Sequence, residues 1–298
     1  MYRMNSYSFV LPDKSKAVQQ SGKESVMETM VSIIIPTYNR ANVIKRAIDS
    51  VLRQTYDSYE VVVVDDGSTD ETESVIAGIQ DARIRYIALK ENQGVAHARN
   101  IGIREARYDY IAFLDSDDEW LPDKLELQMR LFQNSTEDIG MVYCRMGGLT
   151  RDGKERFVCP AQYFSRELLE GEMFRFLLRQ NVIGTPTVIV RKDCLDQVGG
   201  FKETIQCLED WEWILRIAGK WKIGFVDQVL VEVHKTSGSV STNTTWHLIV
   251  RCYLVSLYRR EMTESGIISD VQNEILDVAV EAGIFDEISE LLRREIEL

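Results

Sequence analysis

Apolar and polar positions along this chain follow two rhythms. Val31-Ser-Ile-Ile-Ile-Pro36 and Glu60-Val-Val-Val-Val-Asp65 are short β-branched runs with no polar alternation, the pattern of strands buried on both faces. After Asn39, the residues Ile44, Ala47, Ile48, Val51 and Leu52 recur at helical spacing. Thr69-Asp70-Glu71 supplies the polar start of a second helix, with Val75, Ile76 and Ile79 on its inner face. Ile84–Leu89 reads as a third strand, and Glu91-Asn92-Gln93-Gly94 as a loop before a helix over roughly 95–106. Tyr110-Ile-Ala-Phe-Leu114 is a fourth strand. Strands alternating with helices at this spacing predict a mainly parallel α/β sheet flanked by helices, in which ligands bind at the carboxyl ends of the strands.

The second half is less regular. A helix over about 123–133 and a strand Met141–Arg145 precede a polar hairpin around Asp152-Gly153. Leu168, Leu169, Met173, Phe174 and Leu177 form an amphipathic stretch, Thr187–Arg191 a strand, and Val198-Gly-Gly-Phe201 a turn. Glu209-Asp210-Trp211 opens a helix through Ile217, and two short strands follow at 222–226 and 229–234. Past Thr244 the pattern is helical throughout, with Trp246, Ile249, Val250, Tyr253, Leu254 and Leu257 as one stripe. The expected organisation is a loose polar leader over 1–30, a catalytic unit over 31–240 that divides near 118, and a helical extension over 241–298.

Composition narrows the function classes. A formal net charge of −12 leaves no basic excess to meet nucleic-acid phosphates. Cys144, Cys159, Cys194, Cys207 and Cys252 are odd in number and lack any Cys-x-x-Cys pair, which suits reduced thiols better than a disulfide framework or a zinc site. No apolar run approaches the roughly 20 residues of a membrane helix, and the first residues lack the apolar core of a signal peptide. The expected location is the cytoplasm, with contact at the inner membrane face left open.

The chemistry concentrates where strands end in acids. Phe113-Leu-Asp115-Ser-Asp117-Asp118 runs from an apolar strand into clustered carboxylates. If the segment stays extended, Asp115 and Asp117 leave on one side, and a hard cation such as Mg²⁺ or Mn²⁺ would offset their repulsion. The alternative is a solvated acidic turn that caps the next helix.

Val31-Ser-Ile-Ile-Ile-Pro-Thr-Tyr-Asn39, Val63-Val-Asp-Asp-Gly-Ser68, Asn92-Gln-Gly-Val-Ala-His-Ala-Arg-Asn100 and Phe113-Leu-Asp-Ser-Asp-Asp118 together resemble, in content and order, glycosyltransferase family 2. That resemblance covers residues 31 to about 240 and implies a GT-A (Rossmann-like) fold that transfers a sugar, with inversion, from a nucleotide-sugar donor. By resemblance, Asp66 would accept a hydrogen bond from the donor base, with Pro36 and Tyr38 around it. A carboxylate there suits the imide N–H of uracil, so the donor is expected to be a UDP-sugar. Asp115 and Asp117 would hold a divalent metal on the diphosphate, joined by His234, and Asp115 would also reach the nucleotide. The segment from Gly94 to Arg99 would bring a backbone N–H or a guanidinium to the phosphates. Asp210 would be the general base, with Glu209 and Trp211 towards the acceptor.

The chain departs from the processive polysaccharide synthases of the family: after Asp210 it reads Trp-Glu-Trp-Ile-Leu-Arg216-Ile in place of Gln-x-x-Arg-Trp. Addition of one sugar at a time to a saccharide or glycolipid acceptor is therefore expected. Two other readings stand beside it. A haloacid-dehalogenase-like phosphatase also carries Asp-x-Asp after an apolar strand, but Glu119 stands where that family expects Thr or Val, and the motif follows the fourth strand instead of the first. A non-catalytic nucleotide-sugar-binding module has no need of Asp210. For the C-terminal helices, packing on the catalytic unit, homodimerisation and contact with a membrane surface stay open.

Overall fold

The computed structural model of the chain describes residues 29–150, 153–205, 207–234 and 244–297. The expected leader, apart from its last two residues, lies outside them, as do Asp152 and the segment Ser237–Ser239 that follows His234.

The first half alternates as the pattern predicts: β1 (Val31–Thr37), α1 (Ile44–Leu52), β2 (Tyr59–Asp65), α2 (Thr72–Ala77), β3 (Ile84–Ala88), α3 (Val95–Glu105) and β4 (Tyr110–Phe113). Then come β5 (Glu119–Trp120), α4 (Lys124–Gln133), β6 (Ile139–Leu149), β7 (Arg156–Cys159), α5 (Arg166–Leu169), α6 (Phe174–Leu177), a 3₁₀ turn at Thr185–Thr187 and β8 (Ile189–Arg191). The chain continues through α7 (Lys192–Val198), α8 (Glu209–Ala218), β9 (Lys222–Val233), α9 (Thr244–Leu257), α10 (Arg259–Glu264), α11 (Ile268–Glu281) and α12 (Phe285–Glu297).

Among the described residues, nine strands form one sheet, ordered β3-β2-β1-β4-β8-β6-β9-β5, with β7 paired to β6. β1, β2, β3 and β4 are mutually parallel, with Ile33 facing Val61 on one side and Ala112 on the other. β8 then runs antiparallel to β4 and β6, whereas β9 is parallel to β6 and antiparallel to β5. The sheet is therefore mixed, and its parallel half carries the loops of the first four motifs.

Three elements differ from the sequence pattern for identifiable reasons. The strand expected from Thr187 begins at Ile189, because Pro186, which lacks an N–H, sits in the 3₁₀ turn before it. The amphipathic stretch at 168–177 splits into α5 and α6 at Gly171, whose φ is +85° and whose N–H bonds to the Ile223 carbonyl. The two short strands at 222–234 are the single strand β9: the exposed pair Asp227-Gln228 is accommodated by register irregularities opposite Arg145, which binds Asp227 at 2.5 Å.

Strand alternation divides the core between two faces. Ile33, Ile35, Val61 and Val63 pack with α1 and α4 on one side, where Trp120 and Met129 are fully enclosed. Ile34, Phe113 and Tyr143 pack on the other with α7 and α8, and that cluster continues into Val250, Leu254, Ile275 and Ile288 of the C-terminal helices. In α9, Leu248, Cys252 and Val255 are buried, while Trp246, Tyr253 and Leu257 of the expected stripe are partly exposed. The shift arises because α9 is covered on two sides, by the catalytic half and by α11 and α12. Among the described residues no helix is long and apolar enough to cross a membrane.

α3 lies close on β1 because Gly102 faces the sheet; a Cβ there would stand 2.4 Å from Cγ2 of the buried Ile34. Alanine is the better helix former by about 1 kcal/mol, but overpacking costs about 1–3 kcal/mol, and Ile34 has no free space to yield. Gly102→Ala is expected to destabilise the protein by about 1–2 kcal/mol in urea unfolding, against the sign of helix propensity.

Candidate functional site

Parallel strands end in backbone groups without partners, and the loops after β1, β2 and β4 open at this edge. The first two are laced together. Asn39, tolerated in the left-handed region at φ +51°, donates its N–H to Ser68 Oγ, while Asn39 Oδ1 accepts from the Thr69 N–H, both at 2.8 Å. Pro36 is buried within β1 opposite Val64, and Tyr38 beyond it is 43% exposed, a ring open at the cleft.

Asp65 and Asp66 divide the structural work. Asp65 accepts from the Ser68 N–H and the Tyr86 hydroxyl. Asp66, also buried, accepts from the backbone N–H groups of Gln93 and Gly94 at 3.0 and 2.7 Å. That clamp draws the 91–94 loop against Gly67, whose φ is +77° and where a Cβ would meet the Glu91 backbone at 2.8 Å. The Gly94 N–H expected at a phosphate is therefore engaged by Asp66. A carboxylate has more lone pairs than these two bonds use, so Asp66 keeps acceptor capacity for a base.

After β4 the chain does not stay extended. The Asp118 N–H bonds to the Asp115 carbonyl at 3.1 Å, so Asp115 and Asp117 flank a turn and are not ranked along one strand face. Asp118 is not a helix cap, since α4 starts only at Lys124. Its Oδ1 accepts from the His234 N–H at 3.0 Å, and burial, together with Asp115 and Asp117, pushes its carboxyl well above the usual range. His234 reaches the turn because β9 pairs with β5; its Nε2 lies 3.0 Å from Glu119 Oε1, without hydrogen-bond alignment. Arg46 of α1 and Arg53 just past its end approach the same Glu119 at 3.3 and 3.5 Å, and Arg46 also donates to the Asp117 carbonyl. Among the described residues, no three His, Cys, Asp or Glu groups are gathered tightly enough to hold a metal by themselves. Asp115, Asp117 and His234 thus border one turn without forming a preformed three-ligand cage.

Arg99 is 4% exposed, and its guanidinium donates one arm to Asp115 Oδ1 at 2.8 Å and the other to Glu209 Oε1 at 2.7 Å. Burial opposes its charge, yet Asp115 and Glu209 hold it firmly protonated, above its ordinary range.

Asp210 begins α8 beside this pair. Leu208, left-handed at φ +56°, turns the chain into the helix. Asp210 Oδ1 accepts from the Trp211 N–H, and Oδ2 from the Thr185 hydroxyl at 3.3 Å. Desolvation first, then the Glu209 charge, raises the Asp210 carboxyl to about 7, with Arg99 opposing. Trp211 does not face an acceptor: it is 6% exposed, with its indole N–H on the Leu177 carbonyl, and Trp213 is stacked on Phe201 in the core. Both rings are buried because α8 is enclosed on nearly all sides. Thr185, Arg46 and Glu119 were not legible as site residues, since each is an ordinary residue in its own segment and joins the site only through tertiary packing.

A family model described as Glycosyl transferase family 2 matches residues 32–195. An uncharacterised glycosyltransferase of Rickettsia prowazekii is 32% identical over 223 residues, 74% of this chain and 69% of the relative. The Escherichia coli UDP-Glc:α-D-GlcNAc-diphosphoundecaprenol β-1,3-glucosyltransferase WfgD is 43% identical over 142 residues, 47% of this chain and 55% of the relative. Some rickettsial relatives are longer, and the chain spans 35% of them. Among solved structures, S. aureus TarS 1–349 in complex with UDP-GlcNAc superposes with a TM-score of 0.64 at 22% identity, covering 85% of this chain and 73% of that one. A Pyrobaculum calidifontis mannosyltransferase in complex with GDP-Man and Mn²⁺ has a TM-score of 0.59 at 19% identity, covering 91% and 76%. The GT-A arrangement expected from the motifs is thus the fold observed.

Asp66→Ala removes the acceptor of two backbone N–H groups in the 91–94 loop. Leaving both unsatisfied is expected to cost about 2–4 kcal/mol in chemical unfolding, with hydrogen exchange accelerated first at Gln93 and Gly94.

Proposed function

Because the chain belongs to glycosyltransferase family 2, we propose that it moves a single sugar from a nucleotide-sugar, a UDP-sugar, to a saccharide or lipid-linked acceptor in polysaccharide or glycolipid assembly. The observation that carries this reading is the Arg99 link between Asp115 and Glu209, which brings the Asp-x-Asp turn and the start of α8 into one site.

In this reading Tyr38 and Pro36 flank the donor base and Asp66 meets its imide. Asp210 takes the proton of the acceptor hydroxyl at one of its carboxylate oxygens. The hydroxyl oxygen attacks the anomeric carbon while the bond to the diphosphate breaks on the opposite face, which inverts the configuration. The Thr185 hydroxyl, on Asp210 Oδ2, fixes the orientation of the carboxylate. A carboxyl raised to about 7 is a stronger base than an ordinary aspartate and still ionises near neutral pH.

The oxygen donors around the 115–118 turn suit a hard divalent cation, which would relieve the repulsion among clustered carboxylates. Mg²⁺ or Mn²⁺ needs only one or two carboxylates from the protein when donor phosphates complete its shell. Asp117 and Asp115 would hold it, with His234 at the border. Bound there, the cation would stabilise the charge of the departing nucleoside diphosphate.

Asp210→Asn is expected to lower transfer by about 10²–10⁴-fold while UDP-sugar affinity changes less than about threefold, measured by steady-state kinetics and calorimetry. In the native enzyme the ionised fraction of Asp210 falls as pH drops through about 7. kcat/KM should therefore decline on the acid side, approaching about tenfold per pH unit. A flat profile from pH 5 to 8 would remove Asp210 as the base. For Asp117→Ala, UDP affinity measured by calorimetry should no longer respond to Mn²⁺, whereas the unsubstituted protein responds.

A further inference from the structure

Arg99 has surroundings that are built, not incidental. Its guanidinium carbon lies 5.3 Å from the centre of the Phe201 ring, and Phe201 stacks on Trp213 at 4.5 Å and meets Phe113 edge-on at 5.4 Å. The loop bearing Phe201 is pinned to α3 by Asn100, whose Oδ1 accepts from the Phe201 N–H at 2.8 Å and whose Nδ2 donates to the Phe201 carbonyl at 2.9 Å. Gly200 admits this approach, since a Cβ there would stand 2.2 Å from Asn100 Oδ1. Arg99 and Asn100, consecutive on α3, thus bind opposite sides of one arrangement. Asn100 fixes the 200–201 backbone, and the Phe201 ring fixes the plane in which the guanidinium spans two carboxylates.

We infer that Arg99 is a positioning residue for transfer: its two arms hold Asp115, at the donor end of the site, and Glu209, next to Asp210, in one fixed relation. The inference rests on the proposed transferase reading and adds to it a coupling between the donor loop and the base. The bridge is short and bidentate in kind, one carboxylate per arm, a geometry that a lysine's point charge cannot reproduce. It also withholds the guanidinium from donor phosphates. Arg99 therefore acts through Asp115 and Glu209 and does not touch the reacting atoms.

The groups that face Asp210 give the bridge a signature in pH. Arg99 from α3 lowers its proton affinity, Glu209 on α8 and Asp115 after β4 raise it, and the Cys207 thiol and Thr185 hydroxyl nearby carry no charge at neutral pH. Weakening the Arg99 contact should move the acid limb of kcat/KM to higher pH. Neutralising Glu209 should move it to lower pH.

The test compares Arg99→Lys and Glu209→Gln with the unsubstituted enzyme, using UDP-sugar and Mn²⁺. Arg99→Lys is expected to lower kcat by about tenfold or more with donor Kd within about threefold, and to raise the acid-limb midpoint by about half a pH unit or more. Glu209→Gln is expected to lower that midpoint by a similar amount. If Arg99→Lys does not fold, the Glu209→Gln shift alone decides, and an unmoved limb overturns the coupling. A loss of donor affinity of about tenfold with an unmoved limb would make Arg99 a phosphate ligand and overturn the inference. Should the unsubstituted protein transfer no sugar from any nucleotide-sugar, the transferase reading fails instead, a result distinguishable from either variant outcome.

Discussion

A guanidinium buried in a protein interior costs several kcal/mol unless its charge and all its geometry are met. Arg99 has its charge met by two carboxylates from segments 94 residues apart in sequence, Asp115 after β4 and Glu209 at the start of α8, while its buried Nε has no hydrogen-bond partner among the described residues. Each carboxylate alone would be drawn towards solvent or towards its neighbouring acids. With Arg99 between them, the parallel half of the sheet and the helix that carries Asp210 are fixed relative to each other. Removal of either partner would leave a buried charge uncompensated, so the bridge is more important for its geometry than for any net stabilisation.

The same logic recurs around it on a smaller scale. Asp66 holds the 91–94 loop and with it the start of α3, which sets where Arg99 emerges. Farther along α8, the fully buried Glu212 pairs with Lys202 at 2.8 Å and Arg216 at 2.9 Å, while Lys202 also reaches the Tyr253 hydroxyl of α9. Arg216 extends to the carbonyls of Val198, Gly199 and Gly200, at the base of the Phe201 loop. The C-terminal helices are thereby tied to α8, the helix that carries Asp210, through charges as well as through the shared apolar core. A surface helix added only for docking would not need to be cemented in this way.

The acidic turn was the least faithful reading of local sequence. Period-two alternation placed Asp115 and Asp117 on one face, but that argument holds only while the chain remains a strand. β4 ends at Phe113, the Asp118 N–H closes a turn on Asp115, and the carboxylates fan out around it. Trp211 and Trp213, two residues apart, are both core because α8 is enclosed on nearly all sides. Neither correction disturbs the reading of the site, because a turn presents carboxylates to a donor as well as a strand does.

Sequence by itself determined the parallel half of the fold, since β-branched runs, helical spacing and acid-terminated strands are local signals that agree with one another. It also marked Asp66, Asp115, Asp117 and Asp210 as candidates, because each sits beside a strand or helix end that its own neighbours define. Tertiary structure alone decided what those groups touch. The mixed order of β8, β6, β9 and β5 cannot be deduced from strand propensity, and it is that order that brings His234 to Glu119 and Thr185 to Asp210. The role of Arg99 was likewise invisible in one dimension. A cation on a helix is equally at home on phosphate, in solvent or between two acids, and only packing, which buried it against Phe201 with a carboxylate on each arm, chose among them.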